Sequence, residues 1–138
     1  MATAPAADDL LAGVRVLVVD DEPDTRDMVA ILLQRAGADV AKAGSTDEAL
    51  RLADERVPDV LVSDLAMPAR DGYALLRALR GRGLARGLAT VALTAHARQE
   101  DRERALAAGF DAYVTKPVEP SALAALVREL VERRRRPA

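Results

Sequence analysis

Val16-Leu17-Val18-Val19-Asp20-Asp21 is a short apolar run that stops on two carboxylates, and Val60-Leu61-Val62-Ser63-Asp64 repeats the pattern with one. Short apolar runs rich in Val belong to strands buried on both faces, as in a parallel sheet covered by helices on each side. Carboxylates at the ends of such strands lie on the rim where an open α/β sheet binds its ligands. Like charges gathered there repel: at an effective dielectric of about 20, a pair ~4 Å apart costs roughly 4 kcal/mol. Protonation or a cation relieves that cost. A hard, oxygen-seeking ion such as Mg²⁺, with Mn²⁺ as a substitute, suits an all-carboxylate set.

The rest of the chain keeps this rhythm. From Arg15 onward, strands are predicted near 15–19, 39–43, 60–63, 90–94 and 112–115, alternating with helical periods near 24–36, 46–56, 73–81, 98–108 and 120–135. Five βα repeats imply a parallel sheet with helices on both faces, because parallel neighbours need long right-handed crossovers. Gly37 and Gly109 follow the ends of the first and fourth helices, where a left-handed residue costs glycine little. Pro120 can open the last helix, whose Leu123, Leu126, Val127, Leu130 and Val131 form one stripe. The fourth helix differs. Its first two turns, Arg98 to Arg104, are wholly polar, so it is expected to rest on the sheet through Ala105, Leu106 and Ala108 and to be of low local stability.

With 138 residues, half of them apolar, the chain has room for one domain and one well-filled core. The expected organisation is a flexible leader over 1–12, a folded domain over 13–133 and a basic tail over 134–138. A balance of 20 basic against 22 acidic residues leaves a formal charge of −2, so no global field holds nucleic acid or an anionic membrane. The aromatics Tyr73, Phe110 and Tyr113 are too few for base-stacking platforms. Arg133 to Arg136 reads as a solvated helix end that complements the helix dipole. The absence of cysteine removes disulfides and thiolate chemistry and fits a reducing compartment. Neither an export signal nor a membrane span is predicted, so a cytoplasmic location is expected.

Thr94 and Lys116 stand at the predicted ends of two further strands. With Asp20, Asp21 and Asp64 they complete a set that resembles the response-regulator receiver domain of two-component signalling, over residues 14 to 132. The motifs that carry the resemblance are Val-Val-Asp-Asp-Glu-Pro at 18–23, Ser-Asp-Leu-Ala-Met-Pro-Ala-Arg-Asp-Gly at 63–72, Leu-Thr-Ala at 93–95 and Tyr-Val-Thr-Lys-Pro at 113–117. The resemblance implies a flavodoxin-like, doubly wound α/β fold: five parallel strands in the order 2-1-3-4-5, with five helices. It implies Asp64 as the phosphoacceptor, attacking a phosphoryl group in line to give an acyl phosphate. Mg²⁺ would be held by Asp21, Asp64 and the backbone carbonyl of Ala66, with Asp20 holding a coordinated water. Lys116 would pair with Asp64 and later with a phosphoryl oxygen, aimed inward by a cis Lys116–Pro117 bond. Thr94 and Tyr113 would form the switch, the ring turning inward as the hydroxyl moves to the phosphate. Ala66 and His96 would tune the phosphoryl lifetime by screening or admitting water. For proton transfer, an exposed His96 reads as a bystander.

The implied function is a phosphorylation-activated signalling domain, which assists its own phosphorylation and slow dephosphorylation without being an enzyme. Its partner would be a histidine kinase or a histidine phosphotransfer domain. Output would run through the face of the fourth helix, fifth strand and fifth helix, with a phosphorylation-dependent dimer as one form of it. No DNA-binding or catalytic pattern follows residue 136, so an effector domain is expected to be absent or to belong to another polypeptide. The style of the fourth helix and last strand leans toward the receiver of a hybrid sensor histidine kinase. Two features depart from the family pattern: the segment 81–87 is looser than usual, and no proline introduces the fourth strand. A haloacid-dehalogenase-like Mg²⁺-dependent phosphatase would need a general-acid Asp two residues after its nucleophile, where this chain has Ala66. A flavin or nucleotide binder would want a Gly- or hydroxyl-rich loop after the first strand, where this chain has Asp20-Asp21-Glu22-Pro23. A phosphorylation-independent interaction module would have no need of the complete set.

Overall fold

The computed structural model describes residues 9–84, 86–96 and 98–135. Strands and helices alternate as β1 (Arg15–Val19), α1 (Pro23–Arg35), β2 (Asp39–Ala43), α2 (Thr46–Glu55), β3 (Val60–Asp64), α3 (Gly72–Gly81), β4 (Ala89–Thr94), α4 (Gln99–Ala108), β5 (Ala112–Thr115) and α5 (Pro120–Arg135). All pairings are parallel, in the order β2-β1-β3-β4-β5 that the resemblance implies. The central strands β3 and β4 are buried throughout, whereas the edge strands β2 and β5 are only partly covered. That difference is why only the middle of the sheet reads as unbroken apolar sequence.

The two-residue period of the strands sorts the core onto two faces. Val16, Val18, Val60, Val62, Val91 and Leu93 pack with Val29 and Leu33 of α1 and Leu123, Val127 and Leu130 of α5. The alternate residues Leu17, Val19 and Leu61 pack with Ala49, Leu50 and Ala53 of α2 and Leu75 and Leu79 of α3. Further along that second face, Ala92 meets Leu76, Phe110 and Ala105 of α4.

Helix ends are closed locally. Ser45 accepts from the Glu48 N–H at 3.1 Å while the Glu48 carboxylate accepts from the Gly44 N–H at 3.1 Å, a reciprocal cap on α2. Asp71 caps α3 by accepting from the Ala74 N–H at 2.9 Å. Gly37 and Gly109 take the left-handed backbone expected after α1 and α4, with φ of 101° and 112°. The loose segment after α3 also turns on glycines, Gly83 and Gly87 at φ of 74° and 81°, before buried Leu88 leads into β4; Ala85 lies outside the described residues.

Three details differ from the sequence reading. Ala105 is the buried residue of α4 and Ala108 is half-buried, but Leu106 is 40% exposed. Residues 105 and 108 share a helical face, and residue 106 is turned about 100° away from 105. Packed chain begins ahead of residue 13: Leu11 is fully buried against α1 and α5 and donates its N–H to the Ala36 carbonyl at 2.7 Å. The remainder of the expected leader, 1–8, lies outside the described residues. At the other end α5 covers the predicted span through Arg135, so Arg134, expected in the tail, is helical and reaches both carboxylate oxygens of Asp111 at 2.9 Å. Only 136–138 of the expected tail lie outside the described residues.

Candidate functional site

Register brings the predicted residues to one rim. Val19 pairs with Ser63, so Asp20 and Asp64 follow on adjacent strand ends. Asp64 pairs with Leu93, which sets Thr94 one residue further out, and Thr94 pairs with Thr115, which leads to Lys116. One carboxylate oxygen from each of Asp20, Asp21 and Asp64 lies within 4.8 Å of the other two. Asp20 and Asp64 are buried, and Asp21 is exposed. Asp21 is not the cap of α1, whose N-cap is Glu22 followed by Pro23.

Asp20 is fully buried, accepting from the Glu22 N–H at 3.0 Å and from Lys116 Nζ at 2.9 Å. Lys116 Nζ stands 3.6 Å from Asp64 Oδ2. Lys116 thus spans both carboxylates, pairing with Asp64 and standing closer still to Asp20, the more deeply buried charge, which costs most when unpaired. The Lys116–Pro117 bond is cis, as expected. Burial works to lower the Lys116 pKa, but its hydrogen bond to Asp20 and the charges of Asp64 and Asp20 hold it above the ordinary lysine value. For Asp64, burial pushes the carboxyl from an ordinary 3.8 to about 6; the Ala66 N–H, donating at 3.2 Å, opposes it, Asp20 adds to it, Lys116 offsets it and Asp21 adds again.

An octahedral Mg²⁺ holds oxygens at ~2.1 Å, which places neighbouring ligands ~3 Å apart and opposite ones ~4.2 Å apart. An all-oxygen set within 4.8 Å fits such an ion with slight contraction.

The β3–α3 loop is fixed by residues that sequence reasoning missed. A Cβ on Gly72 would lie 2.5 Å from the Asp64 carbonyl oxygen and 3.1 Å from Leu65 Cα, so only glycine lets α3 start this close to the phosphoacceptor candidate. Buried Thr46 donates its hydroxyl to the Arg70 carbonyl at 2.8 Å, and Arg70 pairs with Asp47 at 2.8 Å, tying the loop to α2. The Asp-Gly pair at 71–72 was a visible signal for the glycine; Thr46 offered none, since its partner is 24 residues away. Within the loop Ala69 takes a left-handed backbone, φ 65°. Ala69→Gly is expected to stabilise the domain by about 0.5–1 kcal/mol, read from urea unfolding, because an L side chain is disfavoured there.

Thr94 is buried, and its hydroxyl oxygen accepts from the His96 N–H at 3.0 Å. Tyr113 is half-buried and donates its hydroxyl to the His96 carbonyl. Its ring rests against the cluster of Leu76, Ala92, Ala105 and Phe110. The backbone of His96 therefore joins Thr94 to Tyr113, while the residue itself is exposed. Beside them a cavity of about 480 Å³ is lined by Ala66, Tyr73, Thr94, His96 and two residues of α4, Asp101 and Arg104. The Arg104 guanidinium sits 4.6 Å from the Tyr73 ring centroid, and Tyr73 meets Phe110 edge-on at 6.0 Å.

A family model for the response regulator receiver domain matches residues 16–128. The chain belongs to the receiver domain family. This receiver is 47% identical over 119 residues to the 14.6 kDa protein of the sodA1 3′ region of Leptolyngbya boryana, covering 86% of this chain and 91% of that protein. It is 34% identical to the phosphate regulon transcriptional regulatory protein PhoB of Escherichia coli K12, across 86% of this chain and 52% of PhoB. The receiver thus spans about half the length of that relative. Among solved structures, the chemotaxis protein CheY4 of Vibrio cholerae superposes with a TM-score of 0.81 at 31% identity, covering 86% of this chain and 99% of CheY4. No helix among the described residues of the receiver is long and apolar enough to cross a membrane.

Proposed function

We propose that this receiver takes a phosphoryl group from a histidine kinase or histidine phosphotransfer domain onto Asp64, with Mg²⁺ bound, and loses it slowly by assisted hydrolysis. The observation that supports this reading most is the meeting of three carboxylates and Lys116 at the ends of neighbouring strands. Asp21, Asp64 and the Ala66 carbonyl would hold Mg²⁺, and Asp20 a water on it. When bound, the ion neutralises charge on the phosphoryl oxygens, which is most of what phosphoryl transfer asks of a protein.

The residues themselves do the rest. Asp64 Oδ1 is steadied by the Ala66 N–H, so Oδ2, beside Lys116, is the oxygen free to attack in line. As the O–P bond forms and the donor bond breaks, Lys116 shifts from the carboxylates to a phosphoryl oxygen. The Thr94 hydroxyl proton is available for the same anion, because its oxygen now accepts from the His96 N–H. Drawing Thr94 inward pulls on His96, loosens the Tyr113 hydroxyl and frees the ring to turn in, altering the α4–β5–α5 face that a target or second copy reads. Ala66 and His96 line the cavity from which water reaches the acyl phosphate and so set its lifetime.

With Mg²⁺ and acetyl phosphate, the receiver is expected to gain the mass of one phosphoryl group, to gain none in EDTA, and to lose the adduct to hydroxylamine as acyl phosphates do. A hydroxylamine-resistant adduct, or one indifferent to EDTA, would refute the assignment.

A further inference from the structure

Little holds α4 to the rest of the domain. Its first turns are polar, Ala105 is its buried residue, and among the described residues none of its charged side chains forms a salt bridge to another element. What crosses from it is Arg104, 4.6 Å above the ring of Tyr73. Tyr73 is the second residue of α3, next to the glycine that packs on the Asp64 carbonyl. Phe110 meets that ring edge-on at 79°, so the ring is held with a face toward the guanidinium. Arg104 and Tyr73 also line the cavity that borders Ala66 and Thr94.

We propose that Arg104 on Tyr73 is a latch that holds α4 in its resting position, so that signalling must break this one cation–π contact before α4 can be displaced. The inference rests on Asp64 as phosphoacceptor for its signalling role, though not for the contact. A partly exposed cation–π pair is a weak bond, which suits a contact that must open. With so little apolar burial beneath α4, even a weak bond is a large share of what keeps the helix in place. Coupling is reciprocal: if the latch opposes displacement of α4, it opposes by the same factor any ligand that favours the displaced state.

Hydrogen exchange at the α4 amides of the unphosphorylated receiver tests the contact. Arg104→Ala and Tyr73→Leu are each expected to speed α4 exchange about three- to fivefold, and the double variant no more than either alone. Arg104→Lys and Tyr73→Phe, which keep a cation and a ring, should stay near wild type and show that the effect is not a folding defect. Unchanged exchange, or a double variant equal to the product of the singles, overturns the latch. Beryllofluoride with Mg²⁺, standing in for the phosphoryl group, tests the signalling role: Arg104→Ala should bind it about three- to fivefold more tightly. Faster exchange with unaltered beryllofluoride affinity would make Arg104 a mere tether and overturn the proposal. A wild-type receiver that binds no beryllofluoride would instead defeat the reading of Asp64, leaving the exchange cycle to judge the contact.

Discussion

Asp64→Asn is expected to take up no measurable phosphoryl group under conditions that phosphorylate the wild-type receiver, and to make the metal-free domain more stable at neutral pH. An amide oxygen is a far poorer nucleophile than a carboxylate, so adduct formation should fall by on the order of 10³-fold or more, read by intact mass. The stability effect follows from the Asp64 carboxyl being raised from 3.8 to about 6. Between those values the native state keeps a proton that the unfolded chain has released. The contribution of Asp64 is therefore most favourable below the lower value, declines as pH rises, and levels off above the higher one. The whole shift corresponds to about 3 kcal/mol, of which roughly half falls between about pH 5 and about pH 7.5. In EDTA, urea unfolding of the wild type should show that decline relative to Asp64→Asn, whose amide does not titrate. Adding Mg²⁺ should restore wild-type stability at the higher pH by binding the native state. If the two proteins track each other across that range, the ionised Asp64 carboxylate bears no penalty from its burial and its acidic neighbours, and a cation has no such cost to relieve.

Gly72→Ala should damage both folding and chemistry. The added methyl would meet the Asp64 carbonyl oxygen at 2.5 Å, Leu65 Cα at 3.1 Å and Leu65 Cδ2 at 3.2 Å. The nearest of these are backbone atoms, which no rotamer change can move aside. Overpacking of this kind costs about 1–3 kcal/mol, and we expect the upper end. The strain should also be felt where Gly72 donates to the Leu65 carbonyl at 3.2 Å, the bond that closes the loop carrying Ala66. A displacement of ~1 Å in a reacting group can cost ~10²-fold in rate, so acetyl phosphate labelling should slow by more than the loss of folded protein explains. Labelling that falls only in proportion to the unfolded fraction would restrict Gly72 to a packing role.

Much of this was legible in the chain. Apolar runs ending on Asp20, Asp21 and Asp64 showed both the strands and the rim, because strand period and terminal charge are local properties of sequence. Gly37 and Gly109 were readable for the same reason. Contacts between distant segments were not. Thr46 reads as an ordinary helix-start residue until its partner at Arg70 is placed beside it. Lys116 favours Asp20 over Asp64 through relative burial, which no spacing records. Leu106 counted as an anchor on hydrophobicity, yet the rotation of α4 turns it outward. Leu11 reads as leader because residues 1–12 as a whole lack a period, although the core closes over it.

The sheet divides the apolar interior so that the side chains packed under α1 and α5 are a different set from those under α2 and α3. Volume lost in one compartment cannot be refilled from the other, and substitutions in the two should combine additively. The fold is in that sense a laminate. One lamella could be exchanged for that of a distant homologue, as a chimera, while the acidic rim at the sheet's edge is carried over intact.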